Sequence, residues 1–313
     1  MDSLRFGHII SMVLNTPWAI LPEKLAIITE LIAFRAAGGN LSEEEIRERV
    51  GAVTTPRQRA MQSVAIIPIY GVLVPRGNLI TEASGATSLQ MVSGAFRQAL
   101  ADPGVSSIVF EFDSPGGQVD GVPELARDIY RARGQKPIVA VANTLAASAA
   151  YWLATAADQV YVAPSGQVGS IGVIAAHEDM SGMLEKQGVK TTLISAGKYK
   201  VEGNPYEPLS DDGKAYIQAR VDEYYDLFTH DVAKGRGVTA DEVRGGYGQG
   251  RVVSARTAKE SGMVDGIATL EEVVNATARK VRQGQGAQAE GRALDIGDLD
   301  LRARRLELVR KRP

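Results

Sequence analysis

The chain contains no cysteine and only three histidines, His8, His177 and His230, among its 313 residues. The first absence excludes disulfides, thiolate metal sites, iron–sulfur clusters and a cysteine nucleophile. The second leaves imidazole chemistry few places to reside. Net charge is also scarce: 35 Lys and Arg against 37 Asp and Glu leave −2, which gives no global field for holding nucleic acid or an anionic membrane. Long apolar runs are missing too. Gly7 to Pro22 carries no charged residue, but it lacks a basic n-region, a sustained apolar core and an A-x-A site, and Pro17 interrupts it, so no signal peptide is expected. The uncharged run Pro137 to Ala157 has the length of a membrane span. It is mostly alanine mixed with Asn143, Thr144, Ser148 and Thr155, and reads as a buried strand followed by a buried helix. With no lipidation signature at either end, the expectation is a cytoplasmic protein without a membrane span.

What is present reads as a folded α/β protein. A hydrophobic content of 44% with 23% charged residues is ordinary for a globular chain. The length suggests one core domain with appendages. A helix is predicted from Pro22, with Leu25, Ile28, Leu31 and Ile32 at helical spacing and a stop at Gly38-Gly39. Ser42 and Glu45 form a capping box that opens another. Beyond Arg59, β-branched runs alternate with amphipathic helices. Strands are predicted at Val64–Ile69, Ser107–Phe112 and Ile138–Ala142, with helices at Leu89–Ala101, Val122–Arg133 and from Ala147. This is a βαβ series. Further strands are predicted at Gln159–Val162, Ile171–Ala175 and Thr191–Ile194, then a long helix over Asp211–Arg236, a turn at Gly245-Gly246-Tyr247-Gly248 and a helix over Ala255–Ser261. The expected division is an N-terminal helical segment over 1–62, a core domain over 63–281 and a flexible basic tail over 282–313.

Two strand-to-helix corners carry the candidate chemistry. Asp113-Ser114-Pro115-Gly116-Gly117 follows the second strand; its glycines permit positive φ and close backbone approach, and its N–H groups suit a developing oxyanion. A plain turn is the competing reading. One βαβ step later, Ala146-Ala147-Ser148-Ala149-Ala150 has the small-residue frame of a nucleophile elbow, with alanine where hydrolases carry glycine. The competing reading is an alanine-packed helix with Ser148 as a core hydroxyl. A nucleophilic serine needs a base. The residues leave two options open: His177, or a lysine of Gly197-Lys198-Tyr199-Lys200. A lysine base must fall from a pKa of about 10.4 to roughly 7, a disfavouring of its charge by about 4–5 kcal/mol that burial can supply. Ser195-Ala-Gly-Lys198 spells S-x-x-K, but it follows a predicted strand and contains a glycine where that motif needs a helix turn. Gly166-Gln-Val-Gly169-Ser170-Ile-Gly172 is not a dinucleotide fingerprint.

Taken together, the segments Ser114-Pro-Gly-Gly117, Ala146-Ala-Ser148, Gly169-Ser-Ile-Gly-Val173, Leu184-Glu-Lys-Gln-Gly-Val189, Lys198-Tyr-Lys200 and Gly250-Arg-Val252 resemble the signal peptide peptidase A family of serine peptidases. The resemblance runs from Val64 to Val274 and implies an α/β Clp protease/crotonase-like βαβ superhelix. His177, the segment Lys200 to Tyr206 and the preface Asn15-Thr-Pro-Trp-Ala-Ile20 are similar to the capsid assembly proteases of tailed phages within that family. The resemblance implies Ser148 as nucleophile, Lys200 as general base and later acid, Ser170 as the hydroxyl orienting the lysine, and Gly117 and Ala149 as oxyanion donors, a Ser-Lys variant of triad logic. It implies no cofactor, metal or nucleic acid. It also implies a homo-oligomer in which the lysine can come from the protomer beside the serine's. The substrates implied are scaffold or head proteins of an assembling procapsid. Signal-peptide remnants and a catalytically silent assembly role are the alternatives. Ala149-Ala150 departs from the family's usual Gly-Gly or Gly-Ala.

Overall fold

The computed structural model describes residues 16–36, 39, 45, 59–61, 63–77 and 86–280. The capping box at Ser42 and the tail 282–313 lie outside the described residues.

Four parallel strands form the centre: β3 (Val64–Tyr70), β6 (Ser107–Ser114), β8 (Ile138–Ala147) and β9 (Gln159–Val162). For this part, β1 is Trp18–Ile20, α1 is Pro22–Ala36, β2 is Arg59–Met61, β4 is Leu73–Val74, β5 is Thr87–Ser88 and β7 is Gly116–Gln118. Helices α2 (Leu89–Ala101) and α3 (Val122–Arg131) are the crossovers between the first three central strands. β3 and β6 are almost wholly buried along their length. That is the expected state of β-branched runs in a sheet covered on both faces. Alternation then sorts the side chains. Ile108, Phe110 and Phe112 join the main core with residues of α2 and α3, whereas Val64, Ile66, Val109, Val139 and Val141 face Val273, Val274 and Ala278 from a helix over 270–280. Pro68 is tolerated inside β3 because β2 pairs only with Val64 to Ile66, so the missing N–H costs no ladder bond on that edge.

β8 divides the sheet. Its register against β6 shifts between Phe112 and Asp113, which skips Asn143 and Thr144. Below the shift, Val139–Ala142 pair with β9; above it, Leu145–Ala147 pair with β10 (Gln167–Gly169). β11 (Val252–Ser254) covers the other edge of β10. A second, four-stranded sheet has the order β1-β7-β4-β5. α4 (Ala149–Thr155) follows β8, and the 26-residue α6 (Asp211–Arg236) packs on it. Ser210 caps the start of α6 and Gly237 ends it at φ 70°. The short helices α5 (Ser181–Lys186), α7 (Ala240–Gly246) and α8 (Ala255–Glu260) and the strand β12 (Gly266–Ile267) are the remaining named elements among the described residues.

Four expectations are corrected. Ile171–Ala175 is not a strand: Gly169 at φ 119° and Ser170 at φ 55° turn the chain out of the sheet, leaving only an isolated bridge between Ile174 and Trp18. Thr191–Ile194 forms no strand either, because β11 already fills the free edge of β10; Ile194 is 96% exposed. The helix expected from Ala147 begins at Ala149, after a residue of positive φ. Gly245 and Gly246 end α7 rather than forming a turn, since the Thr239–Glu242 capping box starts a helix just upstream; the turn follows at Gly248.

Candidate active site

Ser148 lies at the sharp corner between β8 and α4 with φ 56° and ψ −121°. A non-glycine residue holds that conformation only where its surroundings over-determine it. Here they do. The Ser148 N–H donates to the Gly169 carbonyl at 2.7 Å, and its own carbonyl accepts from Trp152 N at 2.9 Å. Every residue of α4 is buried. Trp152 stacks on Phe228 of α6 at 4.5 Å, and its indole N–H donates to Asp231 at 2.8 Å. The Tyr151 hydroxyl donates to the Met263 carbonyl at 2.8 Å. At the far end of α4, the Arg133 guanidinium satisfies the carbonyls of Thr155 and Ala156 at 2.8 and 2.9 Å. The run of alanines around Ser148 is therefore a packing requirement, as Ala146, Ala147, Ala149 and Ala150 have no exposed surface.

Beside this corner runs β7. The Ser114 hydroxyl donates to the Gly71 carbonyl at 2.7 Å and accepts from Gly116 N at 3.2 Å, which shapes the turn into the strand. Gly116 adopts φ 95°, and a Cβ there would come within 3.0 Å of both Ser148 Cβ and the Ala147 carbonyl oxygen. Gly117 pairs with Ala19 of β1 on one side and Leu73 of β4 on the other. A Cβ on Gly117 would lie 2.0 Å from the Leu73 oxygen. Both glycines are dictated by close backbone approach.

Among the residues singled out from sequence, Ser148, Ala149, Gly117 and Ser170 come together. The Gly169 carbonyl that receives the Ser148 N–H belongs to the residue before Ser170, which is buried, has positive φ and donates its N–H to the Arg251 carbonyl at 2.8 Å. Among the described residues the Ser148 hydroxyl donates to a backbone oxygen, that of Gly172, at a weak 3.4 Å. Lys200 stands apart. It is exposed within a turn over 197–203, held by its N–H to the Gly197 carbonyl at 3.2 Å, and no hydrogen bond joins it to Ser148 or Ser170 within the single chain. Lys198 is exposed and lies 4.6 Å from the Tyr199 ring centroid. His177 does not reach the serine hydroxyl: its Nε2 pairs with the Asn204 carbonyl at 3.0 Å. His230 sits on α6 against the Asp226 carbonyl, and His8 lies outside the described residues.

Sequence reasoning missed two elements of the site. One is β1, whose Thr-Pro-Trp-Ala-Ile run is too short for periodicity to identify as a strand. The other is the Asn143–Thr144 irregularity, which lies beside two acidic residues of β6. Glu111 is buried and accepts from Asn143 at 3.3 Å. Burial raises the Asp113 carboxyl above the usual range; the Thr144 hydroxyl opposes this, Glu111 adds to it, and Lys24 of α1 opposes it. Among the described residues no cluster of His, Asp or Glu could hold a metal ion, and no helix is long and apolar enough to cross a membrane.

The chain is similar in sequence to several known proteins. The chain is 33% identical over 286 residues to capsid assembly protease C of Escherichia phage lambda, covering 86% of this chain and 63% of that protein. It is 31% identical over 290 residues to the head-tail preconnector protein GP5 of Enterobacteria phage P21, covering 88% and 57%. It is also 31% identical over 175 residues to a putative signal peptide peptidase SppA of Enterococcus faecium, covering 56% and 51%. The chain thus spans about three fifths or less of the length of these relatives. Residues 131–284, which include Ser148, Ser170 and Lys200, match the model of peptidase family S49, so about half of the chain, set in a mixed α/β fold around a parallel sheet, is similar to that family.

Proposed function

We propose that this chain is a serine endopeptidase that cleaves scaffold or head proteins during procapsid maturation, using Ser148 as nucleophile and Lys200 as base. The observation that carries the reading is Ser148 itself, fixed at φ 56° against Gly116. Such a corner presents the hydroxyl to an extended peptide lying on the adjacent strand. Attack on the peptide carbonyl places negative charge on its oxygen, which the N–H groups of Gly117 and Ala149 would receive. The neutral Lys200 amine takes the hydroxyl proton and returns it to the leaving amine, while Ser170 orients the lysine.

A neutral lysine requires removal from water. Lys200 is exposed in the single chain, next to the exposed Tyr199, and Ile194 and Tyr216 are exposed large side chains as well. These residues fit a surface covered by a second copy, and we propose that assembly buries Lys200 against the Ser148 corner of a neighbouring protomer. The phage relatives named above supply the procapsid context.

A fluorophosphonate label read by intact mass tests this. Wild type should gain one adduct, Ser148→Ala none, and Lys200→Ala an adduct formed far more slowly. Labelling should also fall on dilution as the assembly dissociates. A folded, assembled chain that gains no adduct would leave a silent assembly role in place of the peptidase.

A further inference from the structure

β1 lies where a peptide substrate would have to lie. Trp18, Ala19 and Ile20 run antiparallel to Gln118, Gly117 and Gly116. In an antiparallel ladder, opposite residues alternate between hydrogen-bonded and non-bonded pairs. Leu21 N donates to the Pro115 carbonyl at 3.0 Å and Val119 N to the Pro17 carbonyl at 3.4 Å, so the pair between them, Ala19 and Gly117, is also of the bonded kind. The Gly117 N–H, assigned above to the oxyanion, therefore faces the Ala19 carbonyl. That oxygen and Ser148 flank the same point: the Cβ position on Gly116 that lies 3.0 Å from Ser148 Cβ lies 2.2 Å from the Ala19 oxygen. On its other edge Trp18 exchanges two backbone bonds with Ile174, at 2.8 and 2.9 Å, so β1 lies between β7 and the segment that follows Ser170.

We propose that Trp18–Ile20 is a resident occupant of the substrate groove, with the Ala19 carbonyl in the place of the scissile carbonyl. A substrate must displace it, and a good substrate resembles it. This rests on the peptidase reading of Ser148 and deepens it in two ways. The substrate class follows from the alternation of β1. Ala19 points into the main core beside the serine corner, where it is wholly buried, while Trp18 and Ile20 point the other way into a satellite cluster with Leu25 and Val72. An extended peptide with a small apolar residue between two large apolar ones matches that pattern. Regulation follows from how β1 is held. Its large side chains belong to that small satellite cluster rather than the main core, so the strand can leave without opening the central sheet.

The test uses the full chain and the rate at which a fluorophosphonate labels Ser148. Trp18→Ala weakens the satellite cluster. Leu21→Pro leaves that cluster intact and deletes the N–H donated to Pro115, so it serves if the first variant fails to fold. Leu21→Pro should label about tenfold faster than wild type, the effect of losing about one net hydrogen bond, and Trp18→Ala, which loses apolar contacts, should label faster by at least as large a factor. A hexapeptide of sequence Thr-Pro-Trp-Ala-Ile-Leu should slow labelling of Leu21→Pro, and the same peptide with Asp for Ala should not. Release of residues 1–19 from wild type would equally support the groove assignment. Equal labelling rates in wild type and a folded variant, with no effect of the peptide, would overturn the occupant and leave the nucleophile standing. No adduct on any folded protein would remove the nucleophile, and the occupant with it.

Discussion

The corner that holds Ser148 and the turn that holds Lys200 belong to the same proposed reaction, yet they are built in opposite ways. Around Ser148 the chain is fixed by what lies behind it: α4 is buried along its length, Trp152 is stacked and hydrogen-bonded, and Gly116 leaves out a Cβ that would press on Ser148. Around Lys200, residues 195–200 are all exposed, and local turns with a few backbone bonds hold the chain. Half of the proposed chemistry is thus preorganised by the chain's own core, and the other half depends on a surface that the core does not cover. A nucleophile and oxyanion donors gain from rigidity. A lysine base that works only when desolvated gains from a switch, because its basicity then appears only on assembly.

The sharpest contrast comes from adding one methyl group to each region. Gly117→Ala places a Cβ 2.0 Å from the Leu73 oxygen, whereas Gly197→Ala, beside Lys200 at φ 101°, meets nothing closer than 3.8 Å. We expect the first to cost about 4 kcal/mol or more of stability and the second about 1–2 kcal/mol of backbone strain. Urea unfolding would measure both, and similar costs would erase the distinction. Next in size, Trp152→Ala removes the stacked wall of α4 and should cost about 3–5 kcal/mol by the same measurement. Its loss should also release Ser148 from positive φ, so that labelling fails before the fold does.

The two regions were also unequally legible. The Ser148 corner could be read because its constraints are local: strand propensity in Ile138–Ala142, alanines that can only be core, and a Pro-Gly-Gly turn one βαβ step earlier. The βαβ order followed from the same runs. β1 could not be read, since three residues show no period, and what makes Trp18–Ile20 a strand is the edge of β7, about a hundred positions away. Thr191–Ile194 misled for the complementary reason: its β-branched residues suit a strand, but β11 had already taken the available edge. Lys200 was identified by resemblance, and neither propensity nor packing within one chain says where its amine goes.

A smaller effect tests how firmly α6 is tied to the sheet behind the serine corner. Arg236 near the end of α6 grips Asp265 through two hydrogen bonds, at 2.7 and 3.0 Å, and Asp265 also accepts the Val160 N–H at 2.7 Å. Burial pushes the Asp265 carboxyl upward, but these bonds outweigh it and hold the group below the usual range. A depressed carboxylate stabilises the fold above its unfolded pKa of about 3.9, and that contribution disappears as pH falls through the lower folded value. Asp265→Asn should therefore cost about 2 kcal/mol at pH 7, a figure reduced for the carboxylate's partial exposure. It should also flatten the acid limb of stability against pH. An unchanged acid limb in the variant would mean that the pair contributes nothing measurable.

The smallest expected effect decides between bases. His177 pairs with the Asn204 carbonyl, and three residues on, Met180 N donates to the Pro205 carbonyl at 2.8 Å. Both bonds pin the segment that follows Lys200 to the segment that follows Ser170, and on the proposed mechanism His177 would position the lysine turn. His177→Ala loses one ordinary hydrogen bond, about 1 kcal/mol. We expect stability to change by no more than that and kcat to fall only several-fold, with KM unchanged. His177→Asn, which can restore the bond to the Asn204 carbonyl, should recover most of the rate. Lys200→Ala should instead lower kcat by about three orders of magnitude or more without affecting unfolding. Were the two results exchanged, with His177→Ala inactive, His177→Asn not rescuing and Lys200→Ala near normal, the imidazole would be the base, and the exposed turn would lose its part in the reaction.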